Sequence, residues 1–201
     1  MPSSQKFKPT YILIALNIAF YVYTSAAGGD ALNTHLNMLW NYGQVSSLVF
    51  QGEIWRLFTS MFVHADIAHI AGNMLFLFIF GLRGEEMFSL PEYLSIYFLG
   101  GLTGNLISLV LLPGSISVGA SGAIFAMFGA AIIYARRSFR QSIIGALIYA
   151  FFLLVLSSGA GVNNFAHIGG LVTGLVIGYL LATRRKPEVR YTVNYSYSPF
   201  L

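Results

Sequence analysis

The sequence predicts an all-α, polytopic membrane protein: a bundle of six transmembrane helices with a long first outer loop. Three observations carry this. Hydrophobic residues fill 56% of the 201 positions and charged residues only 9%, against about a quarter charged in a soluble domain. Six apolar segments stand out, at about residues 9–27, 67–82, 93–112, 120–135, 142–156 and 165–183. The Lys and Arg residues sit at the ends of those segments, where topology signals are found.

With the N-terminus in the cytoplasm, Lys6, Lys8, Arg83, Arg136, Arg137, Arg140, Arg184, Arg185, Lys186 and Arg190 all fall inside, and only Arg56 falls outside. The opposite orientation reverses that ratio, so the positive-inside rule selects this one. The chain then reads as a single membrane domain, with a short cytoplasmic N-terminus (1–8), a six-helix core (9–183) and a cytoplasmic tail (184–201), in which residues 187–201 are polar, Tyr-rich and expected to be mobile. The charges form no stripe, so the net charge of +4 is not a nucleic-acid footprint. The absence of cysteine removes disulfides, thiol nucleophiles and thiolate metal sites.

The first segment follows Lys6 and Lys8 and ends at Ser25-Ala26-Ala27, a pattern that also fits a cleaved signal peptide. The spanning reading is preferred, and cleavage would leave the other five orientations unchanged. The loop after it, about 28–62, carries Met38-Leu39-Trp40 and Leu48-Val49-Phe50, which fit short amphipathic pieces at the membrane interface. The third segment is bounded by Pro91 and Pro113. Several segments are shorter than the ~20 residues of a spanning helix, which marks them as interior helices or as helices starting below the surface.

Polar groups within spans are costly and need a reason. The second segment holds His69 and Asn73, with His64 just before it; Ser121 heads the fourth and His167 the sixth. These three helices all run from outside to inside. At ~1.5 Å rise per residue, His69, Asn73, Ser121 and His167 lie within roughly 10 Å of the outer boundary. His69 and Asn73, four apart, share a helix face. Ser121 lies among the small residues Gly119, Ala120, Gly122 and Ala123, at a helix N-terminus whose free N–H groups favour an anion. Phe125, one turn below, can pack on a histidine ring. Gly170, Gly174 and Gly178 match Gly122, Ala126 and Ala130 in spacing, as close-packing membrane helices do. If the two stripes face each other, Ser121 and His167 meet. A serine hydroxyl needs a base to become a nucleophile, and neutral imidazole can serve near pH 7.

No acid lies behind His167, so the expectation is a Ser-His dyad and not a triad. His69, Asn73 and the Ser121 backbone N–H can supply oxyanion donors. No cofactor or metal is expected: there is no His-Glu-x-x-His, and His64 and His69 are five apart with no Asp or Glu at ligand spacing. A soluble-hydrolase nucleophile elbow fails too, because the motif ends in Ala123 and no strand is expected before it. Taken singly, these residues have plainer readings. Serine among small residues is usually packing, a histidine in a span is often structural, and Glu53 with Arg56 reads best as an intraloop salt bridge.

As a set, the residues resemble the rhomboid family of intramembrane serine proteases, in its minimal six-helix form. The matching motifs are Glu53-x-Trp55-Arg56, His64-x4-His69-x3-Asn73, Gly119-Ala120-Ser121-Gly122 and Ala166-His167-x2-Gly170-x3-Gly174, in the family's order, across about residues 52–178. The resemblance implies Ser121 as nucleophile, His167 as base, His69 and Asn73 as oxyanion donors, and Trp55 and Arg56 as residues that shape the first loop. It also implies substrates that are other transmembrane proteins in the lipid bilayer, cut in or near a span. They would enter past the fifth helix and its cap, 157–164, at a site near the outer face of the cell membrane. Inactive relatives lack the serine or the histidine, and both are present here. Two other functions remain: a scaffold or chaperone that binds membrane segments without cleaving them, and a small transporter. The transporter predicts polar groups along the whole bundle depth, whereas the inner halves read as apolar.

Overall fold

A computed structural model describes residues 8–138, 141–159 and 161–185. Lys6, Arg140, Lys186, Arg190, Ala160 of the cap and the Tyr-rich segment expected to be mobile lie outside the described residues.

Six long helices form the bundle: α1 (Pro9–Gly28), α5 (Ile67–Met87), α6 (Leu90–Leu111), α7 (Ser121–Ser138), α8 (Ile143–Ser157) and α9 (Asn164–Arg184). Between α1 and α5 lie three short ones, α2 (Leu36–Tyr42), α3 (Ser46–Phe50) and α4 (Arg56–Thr59). The expected amphipathic pieces are α2 and α3, and Trp40, Phe50, Ile54 and Trp55 are exposed from this loop. By length and composition α1, α5, α6 and α9 can cross a membrane, while α8 is a shorter apolar helix. The protein is an integral membrane protein.

Two boundaries differ from the sequence reading. Helix α5 continues to Met87 rather than stopping at Leu82, because charged residues end an apolar run without ending a helix. An ion pair between Arg83 and Glu86, one turn apart at 2.5 Å, supports the extra turn. Helix α6 begins at Leu90, not Tyr93. Pro91 lies in its first turn, where the missing N–H costs nothing, and Ser89 with Glu92 forms a capping box.

Helix α7 is the centre of the bundle, with Ala123, Ala126 and Ala130 fully buried. Its small-residue stripe faces that of α9. A methyl group added at Gly170 would overlap the Gly122 carbonyl oxygen, one at Gly174 that of Ala126, and one at Gly178 that of Ala130. Helix α6 joins this core through glycines the sequence reading passed over: Gly100 abuts the Ala126 side chain and Gly104 the Ala166 carbonyl. Helix α8 is peripheral, burying only Ala146 and Ala150 and exposing Phe151 and Phe152.

Two expectations need correction. Buried polar residues are not confined to one end: Thr10, Asn17 and Thr24 are fully buried along α1. They are neutral and mostly locally satisfied: Asn17 Nδ2 donates to Leu13 O of the same helix at 2.7 Å, Thr24 Oγ1 donates within α1, and Thr10 Oγ1, bonded to Tyr93 Oη at 2.9 Å, ties α1 to α6. A strand does precede Ser121: β2 (Ile116–Ser117) pairs antiparallel with β1 (Gln44–Val45) of the first loop. Only tertiary pairing stabilises two-residue strands, so no local pattern announces them.

Candidate active site

Ser121 opens α7, His69 lies in the first turn of α5, and His167 in the first turn of α9. Each helix is started by a local signal. Asp66 caps α5 by accepting from the His69 N–H at 2.7 Å, and Asn163 caps α9 by accepting from the Ala166 N–H at 3.1 Å. Gly119, just before α7, has φ +116°, a backbone that favours glycine, and a Cβ there would come within 2.8 Å of His69 Nε2. The His69 ring therefore lies over the segment leading into Ser121.

Ser121, His167, His69, Asn73, Phe125 and Gly119 line one cavity of about 760 Å³. The Phe125 ring stacks on His167 at 4.4 Å between centroids and 22° between planes, the packing its spacing suggested. His167 Nδ1 is buried without a hydrogen-bond partner among the described residues, which leaves Nε2 as the nitrogen open to the cavity. No hydrogen bond of ordinary length joins Ser121 to His167 among the described residues. Asn73 donates from Nδ2 to His69 O at 2.9 Å, and its second amide hydrogen has no partner among the described residues. Asp66 is the only carboxylate lining the cavity among the described residues.

The remaining candidates lie away from the cavity. Gly122, Gly170 and Gly174 form the contact between α7 and α9. His64 is fully buried behind His69, edge-on at 5.2 Å, with neither ring nitrogen paired among the described residues. Burial, with a smaller effect from His69, pushes the His64 imidazole down from 6.5 to about 3. Its native state is neutral, while an unfolded His64 takes up a proton below its ordinary value. The stability this provides is complete above pH 6.5 and is lost as pH falls towards about 3. Unfolding in detergent measured from pH 7 to 4 should show that decline, with a shallower slope for His64→Gln.

Glu53, Trp55 and Arg56 organise the first loop. Arg56 Nε meets Glu53 Oε2 at 2.6 Å, as the salt-bridge reading expects. Its Nη1 also donates to the carbonyls of Trp40, Asn41 and Gly43 at 2.6–3.0 Å, and the guanidinium lies 4.6 Å from the centre of the Trp55 ring. Hydrogen bonds to a charged group contribute about 1.5–3 kcal/mol. Arg56→Ala should therefore destabilise the fold by about 3 kcal/mol, and Arg56→Lys should rescue little, because an ammonium lacks the planar fork. Chemical unfolding of both variants checks this.

Sequence reasoning missed several polar residues that hold the site. Gln44 donates to Asn105 O at 2.9 Å, and Asn105 donates to Leu57 O at 2.7 Å and Ser60 Oγ at 2.9 Å. The Ser60 carbonyl in turn accepts from the Gly119 N–H at 2.9 Å. These links join the first loop to the segment before Ser121. No short-range spacing signals them; the only available sign was an Asn within an apolar run.

This fold and cavity define a helical membrane protein with a polar site sunk into one end of its bundle. The rhomboid domain model matches residues 51–184. Among curated relatives, the rhomboid protease GluP of Bacillus subtilis is 38% identical over 85% of this chain and 34% of its own length. Rhomboid-like protease 2 of Toxoplasma gondii is 35% identical over 86% of this chain and 65% of its own length. The mitochondrial RHOMBOID-like protein 6 of Arabidopsis thaliana is 40% identical over 66% and 46%. The chain belongs to the rhomboid family, whose members include proteases. It spans between about a third and two thirds of the length of these relatives.

Proposed function

We propose that the chain is an intramembrane serine endopeptidase that hydrolyses peptide bonds in or near transmembrane segments of other membrane proteins. The observation that carries this is the meeting of Ser121, His167, His69 and Asn73 around one cavity, with Ser121 and His167 at the ends of two helices, α7 and α9, whose backbones touch.

In this reading Ser121 Oγ attacks the scissile carbonyl carbon while His167 Nε2 takes the hydroxyl proton. The carbonyl π electrons move onto oxygen, and His69, the free Asn73 amide hydrogen and the Ser121 N–H receive the oxyanion. Collapse breaks the C–N bond, and His167 returns the proton to the leaving nitrogen. Water then repeats the sequence on the acyl-enzyme. With no carboxylate bonded to His167 among the described residues, the imidazolium is stabilised chiefly by the stacked face of Phe125. A hydrogen bond between Ser121 and His167 forms when substrate closes the site, as catalytic contacts often tighten only in the complex.

Basic residues at the opposite end of the bundle support an orientation with both termini cytoplasmic and the site near the outer face of the cell membrane. The cavity wall includes Phe76 and Phe80 of α5 and Leu153 and Ser157 of the loosely packed α8, which supports lateral entry of a substrate helix between them. Cleavage of a single-span substrate in liposomes tests the function. Asn73→Ala should slow cleavage on the order of 10²-fold, the effect of losing one oxyanion donor. Loss as complete as that of the serine variant would assign Asn73 a different role.

A further inference from the structure

Asn163 was not among the residues the sequence singled out, and no step of the proposed reaction uses it. It nonetheless makes three side-chain hydrogen bonds to three different segments. Its Oδ1 accepts from the Ala166 N–H of α9 at 3.1 Å. Its Nδ2 donates to Ser108 Oγ of α6 at 2.5 Å and to Ser117 Oγ of β2 at 2.8 Å. The amide orientation is not arbitrary, because a backbone N–H can only donate, so oxygen must face Ala166 and nitrogen must face the hydroxyls.

The placement of these bonds matters more than their number. Asn163 lies four residues before His167, and Ser117 lies four residues before Ser121. The bond between them therefore cross-links the two segments at matched distances from the two side chains. On its other side, the segment from Ser117 to Ser121 is pinned by the bond from the Gly119 N–H to Ser60 O, at 2.9 Å. Ser108, fully buried, anchors the same amide to α6.

We propose that Asn163 is a positioning residue that sets the register between the α9 N-terminus carrying His167 and the β2 segment leading into Ser121. This rests on the reading of Ser121 and His167 as a reacting pair. The glycine contacts between α7 and α9 fix how closely the two helices approach. The amide fixes where their first turns stand relative to one another. A misplacement of about 1 Å costs on the order of 10²-fold in rate.

The test separates this role from simple helix capping. Asn163→Ser keeps an N-cap for α9 but is too short to reach both serine hydroxyls. Ser117→Ala keeps the cap and removes one acceptor. Both variants, their double mutant and the unaltered full-length chain are compared in detergent for unfolding, for fluorophosphonate labelling of Ser121, and for kcat and KM on a single-span substrate. The expected result for Asn163→Ser is a kcat and labelling rate at least about tenfold lower at equal amounts of folded protein, with KM unchanged. The double mutant should be no worse than the poorer single mutant, as for two ends of one bond. Wild-type rates in Asn163→Ser, or losses that multiply in the double mutant, would overturn the proposal. Ser117→Ala carries the test if Asn163→Ser does not fold. An unaltered chain that does not label at all overturns the Ser121 reading, and this inference with it. A chain that labels normally, with undiminished variants, overturns this inference alone.

Discussion

If the proposed reaction holds, replacing Ser121 with Ala is expected to abolish cleavage, with a loss on the order of 10⁶-fold in kcat, as when the serine nucleophile is removed from a serine protease. The hydroxyl is half-buried at the first position of α7, and alanine is a good helix former, so the fold should survive the change. Loss of activity can then be assigned to chemistry. His167→Ala should cost about as much, and the two losses should not multiply if the two groups act as a unit. His167→Ala also removes the ring that Phe125 stacks on, so unfolding of this variant must be measured beside its rate. Turnover of a reconstituted single-span substrate, compared at equal amounts of folded protein, checks both.

The second large effect is structural. Gly170→Val should prevent assembly of the site or destabilise the bundle by more than about 3 kcal/mol, above the usual range for overpacking. The reason is what the added atoms would meet. At Gly170 they strike the Gly122 carbonyl oxygen, which is helix backbone and cannot turn aside as a side chain can. The helices must then separate, and Ser121 and His167 separate with them. By contrast Gly72, which has open space where a Cβ would stand, should accept alanine with little effect on unfolding. Denaturant titrations of the two variants, followed by intrinsic tryptophan fluorescence, give the comparison.

The residues that were legible in the sequence carry information in their own neighbourhood. Gly170, Gly174 and Gly178 recur at the helical repeat, and so do Gly122, Ala126 and Ala130, so a close helix contact follows from spacing alone. Phe125 is one turn from Ser121, which placed its ring near the site. His69 and Asn73 share a face for the same reason. Glu53 and Arg56, three apart and opposite in charge, announced their salt bridge.

The residues that were not legible act across long stretches of chain. Asn163 meets Ser108 and Ser117 from 55 and 46 positions away, and Gln44 meets Asn105 across 61. Nothing in a local window relates such partners. The strands β1 and β2 exist only because the first loop folds back over the segment before Ser121. The helix boundaries were blurred for a different reason. Hydropathy follows the apolar span, whereas hydrogen bonding and capping set the helix boundaries, so that α5 ends at Met87 and α6 begins after its Ser89 cap. The hub at Arg56 was seen only in part, because its three carbonyl contacts lie 13 to 16 residues upstream.

The proposed reaction requires Ser121 to be a nucleophile activated by His167. Fluorophosphonate labelling of the purified chain, with the adduct located by mass spectrometry, tests it most directly because no substrate need be known. A single adduct on Ser121 is expected, absent in Ser121→Ala and strongly slowed in His167→Ala. An unlabelled wild-type chain, or equal labelling of the Ser121→Ala variant, would contradict it.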